Sequence, residues 1–214
     1  TDWLNDFEGR HPDKNTNPVN LARFSSWVKS TDRTAATNND ITPVTYEGIT
    51  YNKDTADYRL AKFKAEINDY AELQSSLFYY LFTELFLMVD SRAKNAFPTI
   101  YDNSGKVCWL PYDMDTAIGI NNEGDLTFGY KLEDIDKTET GADVYNGQDS
   151  VFWCNIRDCF NSELMAMYQE LRSSGGLSYE DIENAYEEHQ SVWCEAIWNE
   201  DAYYRYLEPL IVDG

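Results

Sequence analysis

The chain has 214 residues, 43% of them apolar, enough to bury one sizeable core, and its 17 Lys and Arg against 38 Asp and Glu leave a formal charge of −21. That balance repels a phosphate backbone and argues against direct nucleic-acid binding; a nucleotide would need a divalent cation or a local Lys/Arg cluster to offset the field. The longest apolar run, Leu77 to Val89, spans 13 residues and is interrupted by Thr83 and Glu84, short of the ~20 that a membrane helix needs.

Residues 1 to 55 read as a loop-rich lead-in, and 56 to 214 as one helical lobe. Thr1 in place of an initiator Met leads us to expect a section of a longer polypeptide. Pro12 and Pro18 among Asp and Asn suggest an extended start, and Asn17-Pro18 is a helix-opening pair, with Leu21, Phe24 and Val28 on one face. Residues 30 to 55 are rich in Thr, Asn and Asp, and Thr45 to Tyr51 is their strand or hairpin candidate. From Ala56 to Tyr70 the spacing of Tyr58, Ala61, Ile67 and Tyr70 predicts an amphipathic helix. From Glu72 to Val89 the pattern is apolar all round, which predicts a buried central helix.

Ala96 to Tyr101 and Lys106 to Tyr112 are short aromatic and β-branched segments joined by Asp102-Asn103-Ser104-Gly105, the composition of a hairpin. Pro98 places its first strand at an edge or at an irregularity. Residues 116 to 149, with Gly119, Gly124, Gly129, Gly141 and Gly147 among many acids, read as an irregular surface segment. Ser150 then precedes Phe152, Ile156, Cys159, Phe160, Leu164, Met167, Tyr168 and Leu171, a single helical pattern that stops at Ser173-Ser174-Gly175-Gly176. Ser178 to Asp181 has the form of a capping box and opens a last helix through Ile182, Tyr186, His189, Trp193 and Ile197. Trp153, Trp193 and Trp198 read as helix-packing residues rather than a carbohydrate platform. Cys108, Cys154, Cys159 and Cys194 have no C-x-x-C spacing and read as buried thiols, with one disulfide as the alternative. The expected fold class is α+β, mainly helical, with one small β-hairpin against the central helix.

The chemistry concentrates in Asp90-Ser91-Arg92-Ala93-Lys94-Asn95 and Pro111-Tyr112-Asp113-Met114-Asp115-Thr116. A helix ending at Val89 would deliver Asp90 into a tight loop, Asn95 would leave it as the first hairpin strand begins, and the second strand would return Asp113 to the same place. A loop carboxylate can accept a hydroxyl proton, and an Asn carbonyl can ligate a hard cation. Asp113 and Asp115 would share a face if the strand continued, and their repulsion asks for a cation, a proton or a base such as Arg92 or Lys94. Asp113-x-Asp115 opens like a calcium loop, but Ala117 at position five and Gly124 at the closing position do not fit one. The plain alternative is that Asp90 and Asn95 only cap local backbone. Glu84, inside the apolar run, asks for a partner such as Arg59 or Arg92.

An aspartate near an asparagine, followed by Tyr112-Asp113-Met114-Asp115-Thr116-Ala117-Ile118-Gly119, resembles the CotH family of atypical kinases, named after a spore-coat protein. The likeness covers roughly residues 56 to 130. It implies a lobe like the larger one of a kinase, Mg²⁺ and ATP as cofactors, and phosphoryl transfer to a Ser or Thr of a partner protein. It further implies Asp90 as the catalytic aspartate, Asn95 and Asp113 as Mg²⁺ ligands, Asp115 as a second ligand or an orienting group, and Arg92 or Lys94 facing phosphate. The run Tyr112 to Gly124 is also similar to a version of this domain in virion structural proteins of tailed bacteriophages, which implies a virion or extracellular setting and a non-catalytic module of a larger assembly as the alternative. Met88-Val89 stands where conventional kinases have His-Arg, and no G-x-G-x-x-G loop is present. The nucleotide-covering lobe is thus missing or unrecognisable; if the chain is a section of a longer one, the lobe and its lysine are expected upstream of Thr1, and if it is complete, no ATP binding is expected.

Overall fold

A computed structural model describes residues 19–88, 91–92, 95–101, 104–114, 116–117, 150–173 and 176–192. These residues form six helices and two two-stranded antiparallel sheets, a mainly helical α+β architecture. The chain divides into two compact units, Thr1–Leu164 and Met165–Gly214. No helix among the described residues is long and apolar enough to cross a membrane.

In the first unit, α1 (Val19–Ser30) buries Phe24 and Trp27, with Leu21 and Val28 half-buried beside them. Trp27 is the larger anchor: its indole stacks on Phe63 at 5.0 Å and on Tyr70 at 4.7 Å between ring centroids. The next elements, β1 (Val44–Tyr46) and β2 (Ile49–Tyr51), make a tight hairpin with Tyr46 opposite Ile49. Glu47 and Gly48 take φ of 49° and 79°, and this left-handed pair matches the strand twist as a type I′ turn does. The hairpin expected near residue 100 is therefore joined by a second one here.

Helix α2 runs over Ala56–Tyr70, the range its periodicity predicts, and its N-terminus is capped by the Thr55 hydroxyl accepting from the Tyr58 N–H. Tyr58, Ala61, Phe63 and Ile67 point inward, and Arg59 is buried with them. Arg59 donates to both Asp54 oxygens at 2.6 and 2.5 Å and to the carbonyls of Asp32, Ala35 and Ala36, gathering the loop after α1 around one guanidinium. Ala71 and Glu72 alone separate α2 from α3. They are fixed by Val107, whose N–H donates to the Tyr70 carbonyl at 2.9 Å and whose carbonyl accepts from Glu72 at 2.8 Å.

Helix α3 spans Leu73–Leu85 rather than continuing to Val89. It ends in a Schellman arrangement: Leu87 has φ of 45°, its N–H donates to Glu84, and the Met88 N–H reaches back to the Thr83 carbonyl at 3.0 Å. Strands β3 (Ala96–Thr99) and β4 (Cys108–Pro111) form the expected hairpin, shorter than its apolar segments, with Pro98 opposite Trp109. In a two-stranded sheet both strands are edges, which is where proline is tolerated. Gly105 in the connecting loop has φ of 73°, and a Cβ there would lie 3.1 Å from the Asn20 side-chain oxygen, so the loop approaches α1 where only glycine fits.

After residue 149 the single predicted helix is two. α4 (Val151–Cys159) is capped by Ser150, whose hydroxyl accepts from the Trp153 N–H, and α5 (Asn161–Ser173) follows. Phe160, at φ of −126°, breaks the run between them, while its carbonyl accepts the Leu164 N–H and opens α5. α4 inserts Phe152, Trp153 and Ile156 into the core. There Trp109 from β4 meets Trp153 at 4.7 Å and Phe152 at 5.4 Å. Cys108, Cys154 and Cys159 are thiols rather than disulfide halves, and burial pushes the Cys159 thiol up to about 11, a value at which it stays protonated and unreactive. Cys194, Trp193, Trp198 and Ile197 lie outside the described residues.

In the second unit, α6 (Tyr179–Val192) opens with the predicted capping box. The Asp181 N–H donates to the Ser178 hydroxyl and the Ser178 N–H donates to the Asp181 carboxylate, each at 3.0 Å. The bonds from Ser178 hold the Asp181 carboxyl below its ordinary value.

Candidate functional site

The candidate site is built from the C-terminal end of α3, the loop after it and the base of the β3–β4 hairpin. Two core aromatics fix the loop through its backbone. The Tyr79 hydroxyl donates to the Ser91 carbonyl at 2.7 Å, and the Trp153 indole N–H donates to the Arg92 carbonyl at 3.0 Å. Both groups present an apolar body to the core and a polar tip to the loop, so the backbone at 91–92 is held by side chains that are themselves packed. Neither residue stood out in sequence as a site residue; the available signal was a hydroxyl and an indole inside otherwise apolar helical faces.

Arg92 turns into the protein. The residue is 8% exposed; its guanidinium ion-pairs with Glu84, donates to the Thr83 hydroxyl at 3.2 Å and lies over the Tyr80 ring at 4.4 Å. Glu84 thus finds its partner in Arg92, one of the two arginines the sequence offered. The spacing on α3 explains the geometry, because Tyr80, Thr83 and Glu84 stand three and four positions apart and so share one helix face. Burial pushes the Tyr80 hydroxyl pKa up, and Glu84 adds to the shift.

Hairpin register does the rest. Ala96 pairs with Pro111, so Asn95 and Asp113 leave the two strands side by side, and the Asn95 side-chain amide lies 3.4 Å from the Asp113 carbonyl oxygen. The ring of Phe97 packs on Tyr112 at 4.5 Å just inside this exit. Asp113 has φ of 50°, a conformation that Asp and Asn tolerate better than other side chains. β4 has already ended at Pro111, so the continuing strand that would set Asp113 and Asp115 on one face is not formed.

Of the predicted site residues, Asn95 and Asp113 are brought together and Arg92 is directed into the α3 face. Asp90, Lys94 and Asp115 lie outside the described residues. Among the described residues no three His, Cys, Asp or Glu side chains cluster as a metal site. Asn95 and Asp113 carry a carboxamide and a carboxylate, oxygen groups of the kind that hard cations take. No protein-family model, curated protein or solved structure matches this chain.

Replacing Trp153 by Phe keeps an aromatic ring and removes the indole N–H alone. The expected cost is about 1–2 kcal/mol of unfolding free energy, read from urea denaturation. Hydrogen exchange should show the loss of protection concentrated at residues 91 and 92; an unchanged exchange pattern would show that the indole does not set the loop.

Proposed function

We propose that the chain is the helical lobe of a CotH-like phosphotransferase that moves a phosphoryl group from Mg-ATP to a Ser or Thr hydroxyl of a partner protein. The observation that supports this reading is the register that sets Asn95 beside Asp113 at the edge of a loop anchored by Tyr79 and Trp153. A carboxamide tethered through its nitrogen ligates a hard cation through its oxygen. Asn95 and Asp113, with Asp115, are thus the residues that would hold Mg²⁺, and Lys94 is the cation assigned to phosphate. When bound, Mg²⁺ offsets the charge of the transferring phosphates. Asp90 accepts the acceptor hydroxyl's proton as that oxygen takes the phosphoryl group and ADP leaves.

A second reading, a non-catalytic module of a phage virion assembly, is favoured by Arg92. Of the two cations offered to phosphate, the Arg92 guanidinium is instead buried against Glu84, Thr83 and Tyr80.

Calorimetric titration of Mg²⁺, with and without a nonhydrolysable ATP analogue, separates the two. Asp113→Asn is the informative variant, because Ala at a positive φ adds about 1 kcal/mol or more of backbone strain while Asn does not. On the catalytic reading Asp113→Asn weakens Mg²⁺ binding about tenfold or more, equivalent to at least ~1.4 kcal/mol, with an unchanged melting temperature. Absence of binding heat in the unsubstituted protein under both conditions overturns it. A lowered melting temperature with Mg²⁺ affinity intact assigns Asp113 to the fold.

A further inference from the structure

We infer that the exposed face of α6 is a docking surface for a cationic amphipathic segment of another protein. α6 buries none of its side chains. Tyr179 and Tyr186 are 71% and 54% exposed, and with Ile182 they stand at i, i+3 and i+7, one apolar stripe along the helix. These three residues line an open depression together with Glu183, Glu187 and Gln190. A stripe of this kind is normally what a surface helix turns toward a core; here its two tyrosines face solvent and Ile182 between them is half-buried.

The charge of the same helix identifies the occupant. α6 carries Glu180, Asp181, Glu183, Glu187 and Glu188 and no Lys or Arg. Glu183 and Glu187 are four residues apart and repel each other, and Glu187 and Glu188 oppose the helix dipole near its C-terminal end. Among the described residues no ion pair involves any of these acids. A partner with Lys or Arg flanking an apolar anchor would cover the tyrosines and relieve both repulsions at once. A second copy of this chain, itself at −21, would place like charge against like.

The test uses the intact chain and a fluorescently labelled helical Leu/Lys peptide with one apolar face, followed by anisotropy. Two controls accompany it, a Leu/Glu peptide of the same pattern and an oligolysine of equal charge. The expected result is saturable binding of the Leu/Lys peptide alone, weakened about tenfold or more by Tyr179→Ser with Tyr186→Ser, and likewise by Glu183→Gln with Glu187→Gln. All four positions are exposed, so circular dichroism should show the helix content unchanged. Equal binding of oligolysine, or affinity indifferent to both double variants, would reduce the effect to the net charge of the whole chain and overturn the assignment. Sedimentation showing a dimer that Tyr186→Ser dissolves would give the face to a second copy instead, and no binding at all would also refute it.

Discussion

Arg59→Ala is expected to lower the unfolding free energy by about 3–5 kcal/mol, the range for removing one partner of a buried ion pair. The side chains of Arg59 and Asp54 are 7% and 2% exposed, and the same guanidinium satisfies the carbonyls of Asp32, Ala35 and Ala36. Its removal leaves a buried carboxylate and a loop without its clasp. The pH dependence follows from Asp54: its hydrogen bonds from Arg59, and then from the Asn38 N–H, hold its carboxyl below the ordinary value of 3.8. A carboxyl with a depressed folded-state pKa contributes its stabilisation in full above its unfolded value and loses it as pH falls through the folded one. The difference between wild type and Arg59→Ala should therefore be constant from about pH 5 to 8 and shrink below about pH 4. A difference that instead grew on acidification would show that the pair is not what the substitution removes.

Phe63→Ala should cost about as much, ~3–5 kcal/mol, through a different mechanism. Phe63 is completely buried and its ring meets Trp27 of α1, Phe152 of α4 and Phe160 at the α4–α5 break, at 5.0, 5.8 and 6.2 Å. Two segments far apart in sequence, α1 and the stretch from α4 to the break after it, rest on this one ring, so neither can close the cavity without leaving the other. Phe63→Leu, which retains most of the volume, should lose less than about 1.5 kcal/mol. Urea denaturation of both variants provides the check; near-equal losses would mean that the site collapses freely, contrary to packing on three sides.

The elements legible in sequence were those whose ends carry a chemical signature. α2 follows its apolar spacing over 56–70, and α6 begins at a capping box whose two reciprocal bonds are formed. The misjudged boundaries lack such marks. Apolar residues continue through Leu87 to Val89, and α3 is stopped by a leucine in a conformation usually left to glycine. Phe160 and Leu164 keep the helical spacing across the α4–α5 break, and only Asn161-Ser162, a pair suited to a helix start, marks it. Within the site, the meeting of Asn95 with Asp113 was readable because a hairpin of that length returns the chain to its origin. The inward turn of Arg92 was not, since it depends on a helix ending early enough to put Tyr80, Thr83 and Glu84 within the guanidinium's reach.

The bond from Trp153 to the Arg92 carbonyl joins positions 61 residues apart. During synthesis the β3–β4 hairpin and α3 leave the ribosome well before α4, and a domain cannot make contacts to residues not yet translated. The nascent loop therefore emerges without its second anchor and acquires its final geometry only when the tryptophan arrives, so that competence of this region is timed by translation of the segment that follows it.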